Sequence, residues 1–177
     1  MNAQETDERK TDDERVVQEN SVLGNSRVRL VAKALADLGV SGHVLAVHES
    51  ARTAADAARA MGCNIGAIAN SLIFRCDGKP LLVMTSGAHH VDTKKVQHAL
   101  DRGRLHRADA DFVLASTGQV IRGVAPVGHP EHIETIVDTA LADYEVIWAD
   151  GGHPHALFPT TFEELVRITN GTPMDVA

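Results

Sequence analysis

The sequence predicts an α+β domain built on a mixed, strongly bent β-sheet, and three observations lead there. Helical and strand-like segments are interspersed along the chain with no internal repeat. Two apolar runs, residues 71–76 and 80–85, are split by Asp77-Gly78, the dipeptide that favours a tight hairpin turn. The 177 residues are 44% apolar but only 3% aromatic, enough for one domain whose core is mainly Ala, Val, Leu and Ile, with Phe74, Phe112, Trp148, Phe158 and Phe162 as its few large anchors.

Residues 1–22 are dense in Asp, Glu, Arg and Lys and show no apolar periodicity, so they read as a disordered charged tail; residues 23–177 read as the domain. Val28, Val31, Ala32, Leu35 and Leu38 then recur at helical spacing behind Asn25 and Ser26 as caps, and Gly39 ends that helix. A strand is expected over residues 43–49. Thr53 and Asp56 form a loose capping pair for an Ala-rich helix that stops near Gly62. After the hairpin, Asp92 caps a helix through Leu100 whose exposed side carries Lys94 and Lys95. A strand near Leu105, a short helix over 109–116 and a Gly- and Pro-interrupted strand or loop over 119–127 come next. Strands are expected over 133–138, 145–149 and 156–158. Thr160 or Thr161 caps a last helix that ends at Asn170-Gly171.

Composition excludes several classes of function. The two cysteines, Cys63 and Cys76, make no spaced framework and have no adjacent activator, so they read as buried packing. No apolar run approaches the roughly 20 residues a membrane helix needs, and the polar N-terminus is unlike a secretory signal; a cytoplasmic location and no membrane partner are expected. The formal net charge of −7 argues against a free-standing high-affinity DNA or RNA binder. Any RNA contact is expected to be local, with Lys94, Lys95, Arg102, Arg104 and Arg107 as the one basic neighbourhood, which could equally be a solvated face. There is no P-loop, dinucleotide fingerprint or GxSxG elbow.

Four segments could carry chemistry. Asn70 and Ser71 stand where a short helical turn feeds a strand, able to hold a carbonyl or phosphate, or simply to cap and close the turn. Thr85 to Asp92 joins a strand to a helix, and Ser86 and Gly87 would let a backbone approach a ligand, or form an ordinary capped loop. Arg122 to Pro130 breaks an apolar run with Gly123, Pro126, Gly128 and Pro130 beside His129. Its bare backbone groups could orient a water or an ester oxygen, or could mark an edge bulge. In Gly151-Gly152-His153-Pro154-His155 the two histidines have a spacing that metal ligands sometimes use, but no third ligand has supporting spacing, so no metal is expected. A histidine that bonds a nucleotide or packs a turn fits better.

Taken together, the order and spacing of these segments from about Asn25 onward resemble the YbaK/EbsC family, which includes the insertion domain of bacterial prolyl-tRNA synthetases. The resemblance rests on residues 53–58, 68–74, 82–87 with Val91-Asp92, 118–128, and Gly151-Gly152 before the final Thr-capped helix. It implies a barrel-like bent mixed sheet flanked by helices, a cleft for the aminoacylated 3′ end of tRNA, no cofactor, and hydrolysis of the ester of mischarged aminoacyl-tRNA, with a synthetase as a further candidate partner. Carried over residue by residue, it places Asn70, Ser71, Gly123, Pro126 and Gly128 at the reacting centre. Thr53, Ser86, Gly87, Arg122, His129 and His153 would surround the substrate. Two positions depart from the family pattern. Asn70 stands where active members have a lysine, and Arg122 stands where the family's Gly-x-x-x-Pro loop begins with glycine. An inactive or weakened module that binds an amino acid, a nucleotide or a tRNA end is the alternative these departures leave open.

Overall fold

The computed structural model describes residues 14–48 and 53–177. Residues 1–13 of the expected tail lie outside the described residues, as does Glu49 at the end of the expected first strand. Residues 14–23 form a helix, α1, where the sequence shows no apolar stripe. A single anchor, Val22, is buried with Val28 and Ala156.

Asn25 caps α2 (Ser26–Asp37), its side chain accepting from the Arg27 N–H; Val28, Val31 and Leu35 form the buried stripe. The expected strand at 43–49 is only β1 (Leu45–Ala46). Thr53 caps α3 (Ala54–Met61), and Gly62 ends it in a left-handed conformation. A 3₁₀ turn (Ile65–Ala67) leads into β2 (Ile68–Cys76), which pairs antiparallel with β3 (Lys79–Ser86) from Ala69–Ser86 to Cys76–Lys79. The turn between them has positive φ at both Asp77 and Gly78, which matches the twist of the strands it joins. Asp92 caps α4 (Thr93–Leu100), and β4 (Leu105–Arg107) follows. Asp109 caps α5 (Ala110–Thr117). Residues 119–128 are irregular rather than a strand. The remaining elements are β5 (Glu134–Asp138), a 3₁₀ turn (Thr139–Asp143), β6 (Ile147–Asp150), β7 (Ala156–Thr160), α6 (Phe162–Thr169) capped by Thr161, and β8 (Thr172–Met174).

The strands form one mixed sheet in the order β1-β7-β6-β2-β3-β5-β8, with β4 also on β2. The path does not close on itself, so this is a bent open sheet, as the sequence predicts. One face carries the main core, where Leu82, Met84, Ala149 and Phe158 meet Val31 and Leu35 of α2, Val113 of α5, and Leu165 and Ile168 of α6. The opposite face holds two smaller clusters. One packs Ala57 and Ala58 of α3 on Ile68 and Leu157; the other packs Val96 of α4 on Phe74 and Val83.

Central strand β2 has different neighbours along one edge. Its start pairs in parallel with β6 at Ile68–Trp148 and Ala69–Ala149, and its end pairs antiparallel with β4 at Phe74, Arg75 and Cys76. Ala108 closes part of the interval by donating its N–H to the Ile73 carbonyl (3.1 Å). The edge at Asn70, Ser71 and Leu72 thus lies in a seam where the pairing with β6 has ended and that with β4 has not begun. These three residues are half-buried in a strand otherwise largely covered.

Candidate functional site

The seam gathers side chains that are far apart in sequence. Successive strand residues point to opposite faces. Ala69 and Ile73 lie in the main core and Leu72 and Phe74 in the α4-side cluster, so Ser71 shares the main-core face and Asn70 the other. The two sequence-predicted residues therefore serve different sides of the sheet. The Ser71 hydroxyl donates to the Met84 sulfur (3.2 Å).

Asn70 lies in a polar row that crosses four strands. On one side its cross-strand partner is Thr85. On the other side, one register step beyond Ala69–Ala149, stands Asp150, the last residue of β6. Strands lie about 4.8 Å apart, so Asn70 and Asp150 are immediate neighbours on one face. Beyond Thr85 is Asp138 at the end of β5, fully buried and well satisfied. Its carboxylate accepts from the Ser86 N–H (3.0 Å), the Thr85 hydroxyl (3.3 Å), the Ala140 N–H (3.1 Å) and His89 Nδ1 (2.9 Å). Asp150 has the opposite environment. Among the described residues no hydrogen bond or ion pair reaches its carboxylate, and burial pushes its pKa up to about 7.

The β6–β7 connection carries this row to the irregular loop over residues 119–128. A Cβ on Gly123 would stand 3.0 Å from the backbone of His153 and 3.1 Å from Pro154, so a side chain here would press the loop off the turn by a few tenths of an ångström. The loop is pinned from beneath by Gln119, a fully buried side chain. Its Nε2 donates to the Val127 carbonyl (3.0 Å), and its Oε1 accepts from the Ala125 N–H (2.6 Å). His129 adds a third tie through Nε2 and the Ala125 carbonyl (2.8 Å). A carbonyl can only accept, so Nε2 carries the proton, and burial lowers the His129 pKa and favours this neutral form. Pro126 is buried, and Gly128 has φ +82°. Arg122 is exposed with φ +68°, a left-handed backbone that favours glycine.

The remaining predicted residues fall around this frame. His153 is half-buried, its pKa lowered by burial and then by His155 and Arg27. Beyond it a cavity of about 710 Å³ is walled by Val17, Gln18 and Val22 of α1 together with His155. Ser86 is buried; its hydroxyl donates to the Gly66 carbonyl (2.8 Å) and is thereby spent on positioning the turn before β2. Gly87 abuts Ile65 and Ala54, where a Cβ would stand 2.4 Å from the Ile65 carbonyl. Thr53 is exposed at the adjacent start of α3, bonded to Asp56. Asn70, Thr53, Ser86 and Gly87 thus belong to one neighbourhood. Gly123, Pro126, Gly128, His129 and His153 belong to another, and β6 joins the two. A cavity of about 660 Å³ at the far end, beside Pro80, Leu100 and Arg102, contains none of these residues. Among the described residues no group of three or more His, Cys, Asp or Glu side chains could hold a metal ion.

The basic neighbourhood is partly used internally. Arg102 pairs with Glu134 (2.9 Å) and Lys95 with Asp175 (2.7 Å), while Lys94, Arg104 and Arg107 are exposed. Sequence reading missed Gln119, Asp138 and Asp150. Asp138 and Asp150 each close an apolar run, but their neighbours come from distant strands, and Gln119 opens a run with no local signal of its burial.

Residues 48–168 match the model of the aminoacyl-tRNA editing domain. The chain belongs to that family. A crystal structure of a candidate trans-editing enzyme for prolyl-tRNA synthetase is 35% identical, with a TM-score of 0.81 over 86% of this chain and 97% of that one. YwhH of Bacillus subtilis (strain 168), itself uncharacterized, is 28% identical over 68% of this chain and 76% of its own length. The proline–tRNA ligase of Bacillus licheniformis is 32% identical over 52% of this chain, a match that spans only 16% of the ligase. The seam, the pinned loop and the Gly151-Gly152 turn are among the segments that carry the resemblance read from the sequence, with residues 53–58 and 82–87 the others. No helix among the described residues is long and apolar enough to cross a membrane.

Proposed function

We propose that this protein is a trans-editing hydrolase that cleaves the ester of mischarged aminoacyl-tRNA, with a small amino acid as the group removed and tRNA(Pro) as the first carrier to test. The observation that supports it best is the seam at Asn70–Leu72, joined through β6 to a loop that Gly123 brings against the His153 turn. Membership of an aminoacyl-tRNA editing family gives that cleft a substrate class.

On this reading, main-chain groups between Gly123 and Gly128 orient a water or the terminal ribose hydroxyl against the ester carbonyl, fixed in advance by Gln119 and His129. The Asn70 side chain holds the carbonyl or the terminal phosphate as a neutral donor. Ser71 secures β2 through Met84, and Ser86 with Gly87 sets the wall next to Thr53. Arg122, exposed at the loop's edge, faces the RNA, and His153 closes the end of the cleft. The 3′ end of aminoacyl-tRNA is the partner, with a synthetase as a possible donor of it, and the chemistry draws on no cofactor. Editing of this kind is needed because one methylene is worth only about 1–3 kcal/mol of discrimination in a synthetase pocket.

Asn70 also favours a second reading, in which the cleft binds an aminoacylated end without cleaving it, because a neutral donor makes a bond about half as strong as a charge-assisted one. Rates for Asn70→Ala and Asn70→Lys separate the two. If the protein is a hydrolase, Asn70→Ala lowers kcat/KM at least tenfold; if it only binds, wild type shows no turnover and Asn70→Lys alone gains it.

A further inference from the structure

The geometry points to Asp150 as the group that binds the α-ammonium of the aminoacyl ester, restricting the site to substrates with a free amine; this rests on the editing reading above. Two carboxylates flank Asn70 along the same row, and they differ in what they lack. Asp138 has four donors and needs nothing more. Asp150 ends β6 at the seam beside Asn70, half-buried, and among the described residues it has neither donor nor cation. A carboxylate taken partly out of water without a partner is costly, and an arriving cation offsets that cost.

The proposed substrate brings one cation to this position. An α-amino group with an ordinary pKa of about 7.7–8.0 is largely protonated at neutral pH. It lies two bonds from the ester carbonyl, close enough for Asp150 to hold the ammonium while neighbouring Asn70 meets the carbonyl. Asp150 also directly precedes Gly151-Gly152 and the His153 turn that Gly123 touches, so the anchored amine and the loop are fixed by one short segment. Burial keeps the free Asp150 carboxyl near half-protonated, and the ammonium draws it into its ionised form.

Binding, measured without turnover, tests this. The probe is an acceptor-stem RNA carrying alanine through a non-hydrolysable 3′-amide, prepared with a free and with an acetylated α-amine. Wild type is expected to bind the free amine roughly tenfold or more tightly at pH 7, the range of a charge-assisted bond. Asp150→Asn is expected to remove that preference while leaving the affinity for the acetylated form within about twofold. Equal binding of the two forms by wild type, failure to bind either, or a preference that survives Asp150→Asn overturns the assignment. Turnover of the ester is scored separately. Preference without turnover removes the editing reading and keeps the anchor, whereas turnover without preference does the reverse.

Discussion

Asp150 and Asp138 are the same side chain on the same sheet face, yet their surroundings give opposite consequences for stability. A carboxyl raised to about 7 in the fold holds a proton that the unfolded chain gives up near 4. The folded state thus binds more protons between those values, and its stability falls as pH rises through that window, levelling above about 7. Asp150→Asn is therefore expected to flatten this part of the stability–pH profile and to raise stability at pH 8 by roughly 1–4 kcal/mol. Urea titrations of both proteins at pH 4 to 8 measure the difference. Arg122 is the second residue with a local cost, because its left-handed backbone disfavours a side chain. Arg122→Gly is expected to gain up to about 1 kcal/mol in the same titration, the relief being partly offset by the freer unfolded glycine. Arg122 itself was legible in the sequence as a departure from the glycine pattern. Asp150 was not, because nothing local reveals that β6 runs beside β2.

At the level of elements, what the sequence made plain was local chemistry. Thr53, Asp92 and Thr161 cap helices where their spacing predicted, and Asp77-Gly78 makes the expected hairpin. What it hid depends on partners far away. Strand β8 is three residues with a proline in the middle and exists through its pairing with β5; α1 is held by Val22 and Leu23 and by the Gln18 side chain on the His48 carbonyl. The segment 119–128 reads as strand or loop because its apolar residues alternate with Gly and Pro, and buried Gln119 favours the loop by taking the Val127 carbonyl and the Ala125 N–H, two groups that a neighbouring strand would use. Gly123→Val is accordingly expected to push the loop from the His153 turn and cut deacylation by about 10²-fold, the scale of a misplaced reacting group. Circular dichroism should show the fold retained, and unchanged rates would remove the loop from the site. Leu82→Ala, in the fully buried centre of β3, is expected to cost about 2–5 kcal/mol of stability.

For the molecule as a whole, charge and shape limit how RNA is held. The net charge is −7, and with Arg102 and Lys95 each engaged by a carboxylate, Lys94, Arg104 and Arg107 are the members of the basic neighbourhood without an ion pair among the described residues. Binding of a tRNA should therefore depend on salt with a logarithmic slope of magnitude below about 3. On the proposed function, recognition then rests on the aminoacylated end in the seam. The most direct test is release of amino acid from a panel of aminoacyl-tRNAs, cognate and mischarged with Ala, Ser, Cys or Thr, at sub-stoichiometric protein. The expectation for an editing hydrolase is many turnovers on one mischarged species and none on its cognate partner. Intact folded protein that releases no amino acid from any of them, or that only shields the ester from spontaneous hydrolysis, would contradict it.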